Sequence, residues 1–113
     1  MISNAARAYG ASRAGLDPRL QEADVFRRVS GALRLSRDDD GPRRARALAD
    51  NRRLWLAVGG VVQDPTNALP VDLRAQIASV SHAVLRELNE PQPDLDFLID
   101  INDMLAIGLS SRR

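Results

Sequence analysis

The sequence predicts an all-α protein, a small antiparallel bundle of about four helices. Three observations carry this prediction. Apolar residues recur at helical spacing in four separate segments. Stretches rich in Pro, Gly and Asp break the chain between those segments. No useful run alternates with the period of two that a half-buried strand requires, and there is no internal repeat. Connections this short place sequential helices side by side. A chain of 113 residues suits one domain, and 44% hydrophobic with 27% charged residues is the balance of a globular protein.

Residues 1–15 are small and polar, with Tyr9 as their one aromatic side chain. They read as a flexible or weakly helical N-terminal arm ahead of a single helical domain over residues 16–113. The first helix is expected over residues 16–36. Asp17 can cap its N-terminus, and Pro18 suits a first turn where its missing N–H is unsatisfied anyway. Phe26, Val29 and Leu33 share its apolar face, with Ser30 beside them.

The stretch "RDDDGPRRAR" ends that helix, and Pro42 opens a second that should run to about Gln63. Its three aspartates nearly cancel Arg43, Arg44 and Arg46, so a linker explains it better than an RNA-binding patch. Within the second helix, Leu48, Asn51, Arg52, Trp55, Val58, Gly59 and Val62 fall on one broad stripe. From Leu54 onward the other sides are apolar as well, including Leu56, Ala57 and Val61. A helix apolar all round is central in a bundle or covered by a partner. Gly59-Gly60 costs helix stability, and close approach of another helix is a reason to accept that cost.

"DPTNALP" is a turn, after which a third helix spans residues 70–90. Leu73, Ile77, Val80, Val84 and Leu88 form its stripe, with Ser81 beside it, while Asp72, Ser79, His82 and Arg86 lie outside. "PQPD" ends this helix, and Asp94 can cap a fourth over residues 94–109. Leu98, Ile101, Leu105 and Leu109 form the buried stripe of that helix, with Asn102 in its middle. Asp96, Asp100 and Asp103 read as a solvated acidic face.

Composition narrows the function. Net charge is +1, which gives no overall field to gather nucleic acid or an anionic membrane. All sixteen basic residues are arginine, which we read as coding bias rather than phosphate recognition. The chain has no cysteine, so disulfides, thiolate zinc sites and cysteine nucleophiles are excluded. His82 is the one histidine and has no partner ligands at metal-binding spacing. The sequence offers no phosphate-binding loop and no nucleophile elbow. Neither a signal peptide nor a membrane span is apparent. A cytoplasmic non-enzyme without cofactor or metal is expected.

Two stretches raise the same question. "NRRLW" carries Asn51 and Arg52, and "LIDINDML" carries Asn102, inside otherwise apolar stripes. A buried guanidinium costs several kcal/mol unless it finds acceptors. The side chain of Asn102, a carboxylate such as Asp103 or Asp100, or carbonyls at a helix end could serve. Asn51, Arg52, Asn102 and Asp103 therefore read as an interhelical polar network that fixes register. Trp55 reads first as core, and otherwise as an anchor for a partner.

Three blocks resemble a known family when taken together: "NRRLW" (residues 51–55), "NALPVDLRAQIASV" (residues 67–80) and "LIDINDMLAIGL" (residues 98–109). Their order and spacing resemble the alphaproteobacterial flagellar biosynthesis regulator FlaF. Ala8-Tyr9 and the set Phe26, Val29, Ala32 and Leu33 also fit. The resemblance implies a small cytoplasmic non-enzyme that supports flagellin production and filament assembly. It further implies flagellin as a partner, engaged before export, and action alongside the FlbT regulator. On that basis Arg53, Leu54, Trp55, Leu56, Val58 and Val61 are expected to serve a partner-binding groove. An alternative is post-transcriptional control of flagellin, on its mRNA or through a complex with FlbT. Direct contact with nucleic acid is not expected.

Overall fold

The computed structural model of the chain describes residues 16–111. The arm expected over residues 1–15 lies outside them. Four helices follow in order: α1 (Leu16–Leu35), α2 (Pro42–Gln63), α3 (Val71–Leu88) and α4 (Leu95–Ser111). No strand occurs among the described residues.

Local chemistry sets most of the boundaries. Pro42 sits in the first turn of α2, as its fixed φ favours. Asp94 caps α4 by accepting a hydrogen bond from the Phe97 N–H at 3.1 Å. Pro70 lies one residue ahead of α3 and is its N-cap. At the first helix the expected cap shifts. α1 already begins at Leu16, so Asp17 and Pro18 lie within its first turn.

α1 packs along α4 and α2 along α3, with a lesser contact between α1 and α2. The expectation that every sequential pair lies side by side fails at one place: α3 and α4 do not pack closely as a pair. The reason is the rotation of α4. Its buried line is Leu98, Ile99, Asn102 and Ala106, whereas Ile101, Leu105 and Leu109 are only half-buried. Ion pairs with α1 accompany that rotation, Arg34 with Asp103 and Arg37 with Asp96. Those two aspartates are thus engaged across helices rather than lying on a purely solvated face.

The core is built around Trp55, which is 0% exposed. Phe26 of α1 meets its indole edge-on, with centroids 5.6 Å apart and planes at 66°. Such pairs add roughly 0.5–1.5 kcal/mol to simple burial. Leu33, Val84, Leu88, Leu98 and Ile99 complete the packing. Gly59 is buried because α3 comes close: a Cβ there would stand 3.0 Å from Ser81 Oγ. Gly60 has no such neighbour.

Among the described residues, the bundle is closed at one end and less closely packed at the other. Val84 and Leu88 of α3 are buried, but Leu73, Ile77 and Val80 on the same stripe are only half-buried. Along α4, Leu98 and Ile99 are buried and Leu105 and Leu109 half-buried.

Candidate partner-binding groove

The helices that wall the open end are fixed by arginines from their neighbours. Arg74 of α3 donates from Nε to the Val62 carbonyl at 3.0 Å and from Nη2 to the Asp64 carbonyl at 3.1 Å. In return, Arg52 of α2 donates to the Leu88 carbonyl at 3.0 Å and to Asn89 Oδ1 at 3.1 Å. Each helix of this antiparallel pair thus satisfies terminal carbonyls of the other, which have no partner within their own helix. Arg44 does the same for the end of α1, donating to the carbonyls of Ser36 and Arg37. Arginine suits the task because its planar fork presents several donors at once.

The turn between α2 and α3 is held by its own side chains. Asp64 Oδ1 accepts from the Thr66 N–H at 2.9 Å and from its hydroxyl at 2.8 Å. These bonds, the backbone one first, hold the Asp64 carboxyl below its ordinary pKa. Asn67 donates to the Val61 carbonyl at 3.1 Å and accepts from the Leu69 N–H at 2.9 Å. Leu69 is thereby presented to the open end as a half-buried apolar side chain.

Two adjoining apolar hollows result. One, of about 390 Å³, lies among Val25, Phe26, Leu54, Val58, Val61 and Leu69. The other, of about 290 Å³, runs between α3 and α4, past Leu73, Val80, Met104 and Gly108. Leu69, Ile77, Leu105 and Leu109 line both, so the two form one groove. No charged side chain lines it among the described residues, and Gln76 is its one polar side chain. Met104 is 64% exposed at its edge.

The residues expected to bind a partner divide by position. Leu54, Val58 and Val61 line the groove. Trp55 touches it from beneath but is fully buried, so it is part of the floor and not an exposed anchor. Leu56 is 55% exposed on another side of α2. Arg53 is also exposed there and pairs with Asp50 of its own helix. Periodicity put Phe26 on the apolar face of α1, but it did not reveal the contributions of Val25 and Leu69. For Leu69 a signal was present, an isolated leucine in a turn of otherwise small and polar residues.

The expected polar network is likewise rearranged. Asn102 accepts from Trp55 Nε1–H at 2.8 Å and donates to Asn51 Oδ1 at 2.7 Å, both bonds buried. Asn51 Nδ2 has no partner among the described residues, and neither has the buried hydroxyl of Ser30. Arg52 does not join this chain. It lies at the edge of the stripe, where its length carries it to the end of α3 instead. Asp103 is drawn to Arg34. No group of three or more His, Cys, Asp or Glu side chains is placed to hold a metal ion among the described residues. None of the described helices is long and apolar enough to cross a membrane.

Comparison with known proteins gives one family. The family model described as Flagellar protein FlaF matches residues 5–109. No curated protein and no solved structure matches the chain.

Proposed function

The chain belongs to the FlaF flagellar protein family, and on that premise we propose that its groove holds an amphipathic helical segment of flagellin before export. The observation that carries this reading is the apolar groove at the open end of the bundle, which no charged side chain lines among the described residues. A helix laid in a groove inserts side chains spaced three and four residues apart, and its polar face stays in water. Covering such a segment keeps it from self-association while flagellin awaits secretion, and so promotes filament assembly. The protein acts by binding, in the cytoplasm where flagellin is made, and performs no chemistry on its partner.

The apolar side chains exposed outside the groove, Leu56 and Leu35 among them, support a second contact. We assign that contact to FlbT, through which flagellin synthesis would be tuned.

Substitutions at exposed positions test the two surfaces without disturbing the core. Ala57→Asp with Val61→Asp places charge on the groove wall, and Leu56→Asp places it outside. Size-exclusion chromatography with light scattering should show a stoichiometric flagellin complex for the natural chain and for Leu56→Asp. The doubly substituted groove variant should lose affinity by tenfold or more, about 1.4 kcal/mol. Unchanged flagellin binding by that variant would remove the groove from the proposal. A complex with FlbT but none with flagellin would make the protein a regulatory subunit.

A further inference from the structure

We propose that Ser30 and Asn51 form a buried site for one water molecule, which joins α1 to the polar chain at the centre of the bundle. Ser30 Oγ and Asn51 Nδ2 are the two buried side-chain polar atoms without a partner among the described residues. Both residues are 0% exposed. Native cores seldom leave such groups unpaired, and where side chains do not serve, an ordered water does.

The two orphans lie at the same level of the bundle. Phe26 meets Trp55, and Arg44 reaches the Ser36 carbonyl. Moving forward along α1 is therefore moving back along α2. Ser30 lies one turn beyond Phe26, and Asn51 lies one turn before Trp55, so those two contacts bracket the pair. Each residue also sits on the buried line of its helix, Ser30 between Phe26 and Leu33 and Asn51 between Ala47 and Trp55. α1 meets α2 less closely than it meets α4. Two short side chains facing each other across the looser helix pair suit a bridging molecule better than a direct bond.

Trp55 fixes the direction of the hydrogen bonds. Its indole N–H can only donate. Asn102 therefore turns Oδ1 towards it, and the Asn102 amide nitrogen donates to Asn51 Oδ1. Asn51 is left with Nδ2, a donor, on the other side of its amide. That donor excludes a cation as the ligand. The buried polar residues, Ser30, Ser36, Asn51, Ser81 and Asn102, are all neutral, so a buried anion would lack a counter-charge. A small neutral molecule that both accepts and donates fits. Water accepts from Asn51 Nδ2–H and donates to Ser30 Oγ. The chain Trp55–Asn102–Asn51–water–Ser30 then ties α1, α2 and α4 together. This site stands independently of the flagellin reading.

Ser30→Ala tests the site in solution. Ser79→Ala is the control for helix propensity, because Ser79 is exposed within α3. Removing an unpaired buried hydroxyl would leave folding as favourable as in the control, or more so. Removing a bridged one should lower the folding equilibrium constant about fivefold relative to the control. In a chain that already carries Asn51→Leu, the difference between the two alanine substitutions should vanish, because the water has lost its donor. A crystal structure of the full chain separates water from a direct bond. It should show one ordered peak within about 3.2 Å of both Ser30 Oγ and Asn51 Nδ2. The proposal is overturned by a Ser30→Ala chain no less stable than the control, by a Ser30 effect that Asn51→Leu leaves unchanged, or by direct contact between the two side chains.

Discussion

Asn102 stands at the centre of the bundle with both of its side-chain polar atoms engaged. Asn102→Ala would leave the Trp55 N–H without an acceptor and Asn51 Oδ1 without a donor. Each buried orphan costs roughly 1–3 kcal/mol, so the loss should be about 2–5 kcal/mol. Asn51→Leu should cost clearly less. It orphans one donor, Asn102 Nδ2, and removes the Asn51 Nδ2 that already lacks a partner among the described residues. Urea denaturation midpoints at unchanged slope would measure both. An equal loss in the two variants would show that the chain of hydrogen bonds carries little of the stability. The glycine pair makes a second contrast. Gly60→Ala should stabilise by about 0.5–1 kcal/mol, because an exposed helical position gains propensity and meets nothing. At Gly59 the gain should be cancelled or reversed, because the new methyl presses on Ser81 Oγ, which donates to the Trp55 carbonyl at 3.2 Å. Thermal melts of the two variants would distinguish them. The sequence marked Asn51 and Asn102 as polar groups inside apolar stripes, and it marked Gly59-Gly60 as a close approach. It put Gly59 and not Gly60 on the stripe of Trp55, but it did not give Gly59 its neighbour Ser81 or Asn102 its partner. Both depend on the rotation of a neighbouring helix, which one helix's own periodicity does not contain.

The helices themselves were largely legible, because their limits are written locally. Pro42, Pro70 and Asp94 act within a residue or two of where they stand. The rotation of α4 was not legible. Counting apolar residues favours Leu98, Ile101, Leu105 and Leu109, yet the ion pairs with Arg34 and Arg37 lie on another side and bring Ala106 inward. The arginine clamps were also hidden, since a long side chain reaches groups far away in sequence. The Arg74 clamp yields the prediction that belongs to this scale. Its two donors bridge the Val62 and Asp64 carbonyls, which the single ammonium of lysine does not span in the same way. Arg74→Met should lose roughly 1–2 kcal/mol, allowing for its partial exposure. Arg74→Lys should recover only part of that. Chemical denaturation gives the stabilities, and full rescue by lysine would mean that charge matters here and fork geometry does not. Because Val61, Val62 and Leu69 line the groove beside this clamp, Arg74→Met should also weaken partner binding without touching the partner.

At the scale of the whole molecule, the difference between the two ends governs behaviour. Opening free energy follows the local density of buried apolar contacts, so the two ends should exchange amide hydrogens at different rates. Around Leu33, Val84, Leu88, Leu98 and Ile99 the core is closed, and protection should approach that of global unfolding. Around residues 69–77 and 105–109 the apolar side chains of Leu69, Leu73, Ile77, Leu105 and Leu109 are only half-buried, and protection should be lower. A ligand that binds only the folded state stabilises it by mass action, about 2.7 kcal/mol at one hundred times its dissociation constant. Part of that gain should appear where the ligand sits. Hydrogen exchange followed by mass spectrometry, with and without flagellin, should therefore show slowed exchange in residues 69–77 and 105–109. The closed end should change only as far as its exchange proceeds through global unfolding. Slowing confined to the exposed side of α2 around Leu56, with the open end unchanged, would place the partner on the wrong side of α2 for the groove to matter. Slowing at the open end would tie partner binding to the incomplete part of the core.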